Sequence, residues 1–284
     1  MRRLNDMKEI FDTVSYRSSE ITTKLYSTSF SFGIKALDRE LHKPIYAIYG
    51  FVRLADEIVD TFHDFDKETL LLKFKYDTHE AINDKISLNP ILNSFQDVVN
   101  SYNIELELVD TFLESMEMDL KPMNYDESKY EKYILGSAQV VGLMCLKVFV
   151  NGNDIQYNDL KPHAMSLGSA FQKINFLRDI KADYSNLGRT YFPNVDMNTF
   201  SLEDKVLIER DIQKDFEHAL KGVKKLPKSS RAGVYLTYVY YYKLFEKIKS
   251  ISYSKILSQR IRINNFRKMY LVLGTLLKSK FGLI

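Results

Sequence analysis

Four polar side chains stand in register between residues 49 and 60. Tyr49, Arg53, Asp56 and Asp60 occupy i, i+4, i+7 and i+11. On a helix, at about 100° per residue, they fall within roughly 60° of arc. Their neighbours Phe51, Val52, Leu54, Ile58 and Val59 are apolar, so the helix is embedded on most sides. A second segment repeats the arrangement. Gln172, Asn175, Asp179 and Asp183 stand at i, i+3, i+7 and i+11, interleaved with Phe171, Ile174, Phe176, Leu177 and Ile180. They share roughly 80° of arc. A lone Asp-x-x-x-Asp pair reads as a solvated helix face. Two embedded stripes, each ending in paired carboxylates, need partners if they face a common interior. Crowded carboxylates cannot all stay ionised unless cations neutralise them. Oxygen donors with no His or Cys nearby select magnesium, which keeps waters and binds through one or two carboxylates plus substrate phosphates. The implied chemistry joins carboxylate, divalent cation and phosphate.

Basic residues near the stripes supply an anion clamp. Arg53 lies one turn before Asp56, and Arg178 adjoins Asp179. Arg189 follows the second stripe in Leu187-Gly188-Arg189-Thr190-Tyr191-Phe192-Pro193. That segment reads equally as a helix stop made by Gly and Pro.

The elements that position these groups follow from composition. The chain has 284 residues, 45% hydrophobic and 27% charged, which excludes a disordered chain. Its 11 Gly and 6 Pro are too few for the tight turns of a many-stranded sandwich or barrel. Turn residues cluster at 83–90, 121–127, 151–159, 184–198 and 226–231. Between them apolar residues keep helical spacing, as in Leu106, Val109, Phe112, Leu113 and Met116. The fold class predicted is all-α, one domain over residues 1–284.

Several classes of function fall away. The single Cys145 excludes an intrachain disulfide and a sulfur-rich metal site. The five histidines include no pair at ligand spacing on one helix, which argues against zinc. No apolar run follows the basic N-terminal residues, and the longest one, Val140 to Val150, is short and carries Lys147. Neither a secretory signal nor a membrane span is predicted, and the expected location is the cytoplasm. Net charge is +3, but residues 247–284 hold nine Lys/Arg and no Asp/Glu, leaving 31 basic against 37 acidic residues in the first 246. Such a tail expects an anionic partner. No nucleic-acid reading motif accompanies it, so a membrane surface or a diphosphate is the expected partner.

The combined pattern Arg53-x-x-Asp56-Glu57-Ile58-Val59-Asp60, Gln172-x-x-Asn175-x-x-Arg178-Asp179-x-x-x-Asp183 and Gly188-Arg189-x-Tyr191-x-Pro193 resembles the squalene/phytoene synthase family, its bacterial phytoene synthases in particular. Tyr26-Ser27-Thr28-Ser29-Phe30-Ser31-Phe32 is similar to that family's N-terminal Ser-x-Ser-Phe segment, and Val141-Gly142-Leu143-Met144 to its mid-chain motif. The resemblance runs from about residue 20 to about residue 275.

The resemblance implies an isoprenoid-synthase helical bundle around a central apolar cavity. By it, Asp56, Asp60, Asp179 and Asp183 are catalytic and hold magnesium, with manganese as a substitute. Ser27, Ser29, Tyr49, Arg53, Gln172, Asn175, Arg178 and Arg189 match diphosphate-holding positions. Tyr241 matches a C-terminal aromatic position. Glu57 stands where many relatives have a second aspartate, and Leu135 where some have a substrate-contacting Tyr, so no role is assigned at 135. The expected reaction joins two geranylgeranyl diphosphates head to head into phytoene, without a reductant, in carotenoid biosynthesis. Squalene or dehydrosqualene formation from two farnesyl diphosphates is the alternative. A class I terpene cyclase fits less well, since its second motif is not Asp-x-x-x-Asp. A non-catalytic assembly-factor relative would have lost motif aspartates that are all present here.

Overall fold

A computed structural model describes residues 2–121, 125–187, 191–193, 195, 200–257, 261 and 274, with side chains at 2–6, 181–187 and 254 outside the description. Among the described residues every regular element is helical. In order they are α1 (Arg2–Tyr26), α2 (Thr28–Lys35), α3 (Arg39–Asp60), α4 (Lys67–Asp84), α5 (Pro90–Ser101), α6 (Leu106–Met118), α7 (Glu127–Ile134), a π-turn (Leu135–Gln139), α8 (Val140–Phe149), α9 (Asp154–Leu187), α10 (Leu202–Lys225), α11 (Lys228–Lys249) and α12 (Tyr253–Ile256).

Local chemistry starts several of these helices. Asp66 Oδ1 accepts from Thr69 N at 3.0 Å to cap α4. Asn89 caps α5 with Pro90 in its first turn, and Ser201 with Asp204 closes a capping box on α10. Each cap satisfies backbone donors that the first helical turn leaves open. The breaks lie partly where turn residues cluster. The one expected at 151–159 shrinks to four residues, 150–153, because Asn151 and Gly152 take positive φ and α9 starts at Asp154. The breaks after α2, α3 and α5 carry no cluster of turn formers and escaped the sequence reading.

Two apolar cores flank the cavity. One gathers α3 to α6 and α8 around Phe51, whose ring stacks on Phe95 at 3.8 Å and tilts against Phe112 at 5.3 Å. The other joins α9, α10 and α11 through Ile174, Phe216 and Phe245, all fully buried. Lys173 fastens that second core, donating to Asp211 at 2.5 Å and Asp215 at 2.7 Å across from α9 to α10.

The run from Glu127 to Phe149 corrects one expectation. It forms a continuous 23-residue helical stretch, long and apolar enough by length and composition to cross a membrane. The short apolar run in the sequence had concealed this, because the π-turn joins α7 to α8 without a break. In the fold 61% of the apolar window is buried, and the stretch serves as a core helix. Most of the basic run 247–284, the predicted membrane or diphosphate contact, lies outside the described residues.

Candidate active site

The two stripes face one cavity of about 950 Å³ between the cores. α3 contributes Tyr49, Arg53, Asp56 and Asp60, and α9 contributes Gln172, Asn175, Arg178 and Asp179. Ser27 and Ser29 at the start of α2 and Tyr241 of α11 line the same space. Asp183 falls on α9 with its side chain outside the described residues, and Arg189 lies outside them altogether.

Arg53 organises the first stripe. Its two terminal amino groups donate to Asp56 Oδ2 and Glu57 Oε2, and its guanidinium lies 4.4 Å from the Tyr26 ring centroid. Among the described residues its buried Nε has no hydrogen-bond partner. Burial opposes the Arg53 charge, but Asp56 and Glu57 outweigh it and raise its pKa. Glu57 does not line the cavity, and it contributes by bracing Arg53. Burial pushes Asp56 well above the usual carboxylate range, and the charges of Asp60, Asp119 and Glu57 add to this against Arg53. Asp56 keeps 34% of its side-chain surface accessible because it opens onto the cavity.

On the opposite wall, Arg178 donates to Asp179 through Nη2 at 2.6 Å and Nε at 3.1 Å. These bonds hold its charge against burial. Asn175 donates to Gln172 Oε1 at 3.3 Å, while Asn175 Oδ1 accepts from the Tyr241 hydroxyl at 3.5 Å. Burial raises the Tyr241 phenol to about 12, so it keeps its proton. Its ring stacks on Phe171 at 4.0 Å, and Phe30 approaches Tyr49 at 4.7 Å. Ser27 plays a second part: its Oγ accepts from Phe30 N at 3.3 Å and caps α2.

Sequence reasoning missed a buried pair. Tyr133 donates to Asp119 Oδ2 at 2.7 Å, and both line the cavity. Asp119 ends α6 and Tyr133 sits in α7, so no single helical stripe could reveal them. The π-turn after Tyr133 brings Ser137 and Ala138 to the wall, and such turns often mark functional sites.

The charge balance tests the expected cation. Among the described residues lining the cavity, Arg53 and Arg178 oppose Asp56, Asp60, Asp119 and Asp179. An excess of carboxylate would repel a diphosphate unless cations sat between them. The donors are all oxygen, the set a hard divalent ion takes, so the residues fit magnesium. Among the described residues no three His, Cys, Asp or Glu side chains form a closed cage. An ion held there would draw part of its coordination from elsewhere, as magnesium does from phosphates and water.

Comparison with known proteins addresses the fold and the family. A phytoene synthase 1 of the Solanum lycopersicum chloroplast is 25% identical over 266 residues, covering 86% of this chain and 63% of the relative. A 4,4'-diapophytoene synthase of Staphylococcus haemolyticus is 27% identical over 203 residues, covering 69% of this chain and 68% of the relative. The chain thus spans about two thirds of the length of these curated relatives. A crystallised dehydrosqualene synthase superposes with a TM-score of 0.81 at 18% identity, over 95% of this chain and 98% of that one. A squalene synthase of Alicyclobacillus acidocaldarius gives 0.73 at 20% identity, over 84% and 95%. At such identities these superpositions establish a shared all-α isoprenoid-synthase fold. The squalene/phytoene synthase pattern itself matches residues 23–267, which takes in both aspartate stripes, and the chain belongs to that family.

Proposed function

We propose that the chain is a magnesium-dependent prenyltransferase that condenses two geranylgeranyl diphosphates into phytoene through a cyclopropylcarbinyl (prephytoene) diphosphate. The supporting observation is the length of the cavity. Its lining follows α9 from Asp179 to Leu160, nineteen residues, or about 28 Å of helix rise. A geranylgeranyl chain, at roughly 1.2 Å per extended backbone bond, reaches about 19 Å before its diphosphate is added. A farnesyl chain stops about 5 Å shorter by the same measure. The volume of about 950 Å³ also suits two long chains better than one.

In this reading Asp56, Asp60, Asp179 and Asp183 would hold magnesium, with manganese as a substitute. When bound, magnesium neutralises the departing diphosphate and eases ionisation of the allylic carbon. Arg53 and Arg178 grip diphosphate oxygens through charge-assisted bonds, with Ser27, Ser29, Gln172, Asn175 and Arg189 orienting the same group. Phe30, Phe171, Tyr49 and Tyr241 offer aromatic faces to the positive charge that develops in the substrate. The apolar walls keep out water that would capture the allylic cation. No reductant enters this scheme. The protein would work in the cytoplasm, its basic region 247–284 touching an anionic membrane into which an insoluble hydrocarbon can pass.

Similarity to a 4,4'-diapophytoene synthase favours a second reading, in which two farnesyl diphosphates are joined. Incubation of the pure protein with each diphosphate and magnesium, with and without NADPH, separates the two. Phytoene from geranylgeranyl diphosphate, unchanged by NADPH, is expected. A hydrocarbon from farnesyl diphosphate alone would replace this reading with the second, and none from either would end both.

A further inference from the structure

Two histidines, 55 residues apart in sequence, meet beside the cavity, sixteen residues along α9 from Asp179. His163 of α9 lines the cavity, and its Nδ1 lies 2.9 Å from the backbone carbonyl oxygen of His218 on α10. A carbonyl only accepts, so His163 Nδ1 carries the proton and donates it. The His218 ring backs the His163 ring with centroids 4.3 Å apart, and His218 Nδ1 lies 2.8 Å from Ser166 Oγ. Gly222 lets α10 come this close, for a Cβ there would fall 2.2 Å from His163 Cβ. The imidazole therefore has one seat: bonded at Nδ1, backed by a second ring, and crowded at Cβ by the neighbouring helix.

Depth gives that seat a meaning. His163 stands sixteen residues before Asp179 on α9, about 24 Å along the helix. A diphosphate held near Asp179 would place the end of a geranylgeranyl chain at this level. A farnesyl chain would end near Leu167, twelve residues from Asp179, or about 18 Å along the helix. We propose that His163, seated by His218 and Gly222, is the stop that sets prenyl-chain length, a specificity-determining residue of the tunnel. The proposal rests on the reading of the aspartate end as the diphosphate site. Truncating the imidazole widens the tunnel at the level of Phe149 and Leu160, which also line it. A phenyl ring, bulkier and unable to bond the His218 carbonyl, narrows it.

The test uses the full chain with magnesium and prenyl thiodiphosphates, whose bridging sulfur resists ionisation, so that binding is read without turnover. Farnesyl, geranylgeranyl and geranylfarnesyl analogues are titrated into wild type, His163→Ala and His163→Phe, with circular dichroism confirming each fold. His163→Ala should raise affinity for the geranylfarnesyl analogue relative to the farnesyl one by about tenfold or more, within the range that small changes in apolar fit command. His163→Phe should shift preference toward farnesyl by a similar factor. Should one variant fail to fold, the other decides alone. Affinity ratios unchanged within about twofold, where that range expects about tenfold, would overturn the stop. A wild type that binds the analogues but makes no hydrocarbon from natural diphosphates would refute the proposed activity and leave the stop to its own ratios. Failure to bind any prenyl thiodiphosphate would overturn both.

Discussion

The Tyr133 hydroxyl donates a hydrogen bond to Asp119 Oδ2 at 2.7 Å, joining α7 to the end of α6 on the wall of the cavity. Burial, reinforced by the negative charge of Asp119, holds the phenol well above its ordinary pKa. The phenol therefore keeps its proton and remains the donor of the pair. Asp119 in turn is one of the charges that raise Asp56.

Tyr133→Phe removes this donor and keeps the aromatic ring packed against Tyr125, Phe176 and Tyr191. We expect a stability loss of about 1–2 kcal/mol, the cost of leaving a buried acceptor without its bond. Turnover should fall by roughly tenfold to a hundredfold, the scale of misplacing a neighbouring charge at a preorganised site. Urea melts and steady-state rates measure the two effects separately. Full turnover in the folded variant would detach the pair from the chemistry.

Asp56→Asn and Asp179→Asn test the two facing stripes. Each keeps an oxygen acceptor for its arginine and the shape of the side chain. If these carboxylates position the cation beside the diphosphate, each variant should lose more than about two orders of magnitude in rate. Circular dichroism should be unchanged. Near-normal turnover in either variant would refute the assignment of these aspartates.

Both stripes were legible in the sequence because helical periodicity maps spacing directly onto direction, and α3 and α9 carry no break within their motifs. The all-α class followed from scarce turn formers. What escaped has a common cause. Tyr133 with Asp119, and His163 with His218, are contacts between helices, and spacing within one segment cannot encode them. The π-turn at Leu135–Gln139 escaped because no residue type marks it. Only the packing shows why α6 presses there: a Cβ at Gly136 would fall 2.5 Å from the Thr111 carbonyl oxygen.

The raised pKa of Asp56 sets the sign of a pH effect. A carboxyl that binds its proton more tightly when folded adds stability at low pH, and that contribution is lost as pH rises through the folded pKa. In metal-free protein, Asp56→Asn should therefore be more stable than wild type at pH 8. The difference should shrink as the pH falls below the native pKa of Asp56, where the wild-type carboxyl is protonated. Magnesium with inorganic diphosphate should also shrink it at pH 8, by neutralising the carboxylate. Thermal melts with chelator across this range provide the measurement. A wild type that outlasts the variant at pH 8 without metal would contradict the crowding of carboxylates.

The seating of α2 on α11 depends on two facing glycines. A Cβ at Gly233 would lie 2.5 Å from the Gly33 carbonyl oxygen and 2.4 Å from Leu37 Cδ2, whereas one at Gly33 would meet Thr237 Oγ1 at 2.3 Å. The first obstruction includes backbone and can be relieved only by moving α2; the second is mainly a side-chain tip. α2 carries Ser29 and Phe30, and the Phe30 ring packs toward Tyr49 and Tyr241 at 4.7 and 6.0 Å. Gly233→Ala should thus cost about 1–3 kcal/mol from overpacking, partly offset by better helix propensity. It should also raise KM by displacing the aromatic wall. Gly33→Ala should be damaging alone but rescued by Thr237→Ala in the same chain, while Thr237→Ala should not rescue Gly233→Ala. Urea melts of this double-mutant set give the coupling energies directly. Equal rescue at both positions would mean that α2 yields to a side chain and that the glycine contact does not hold it in place.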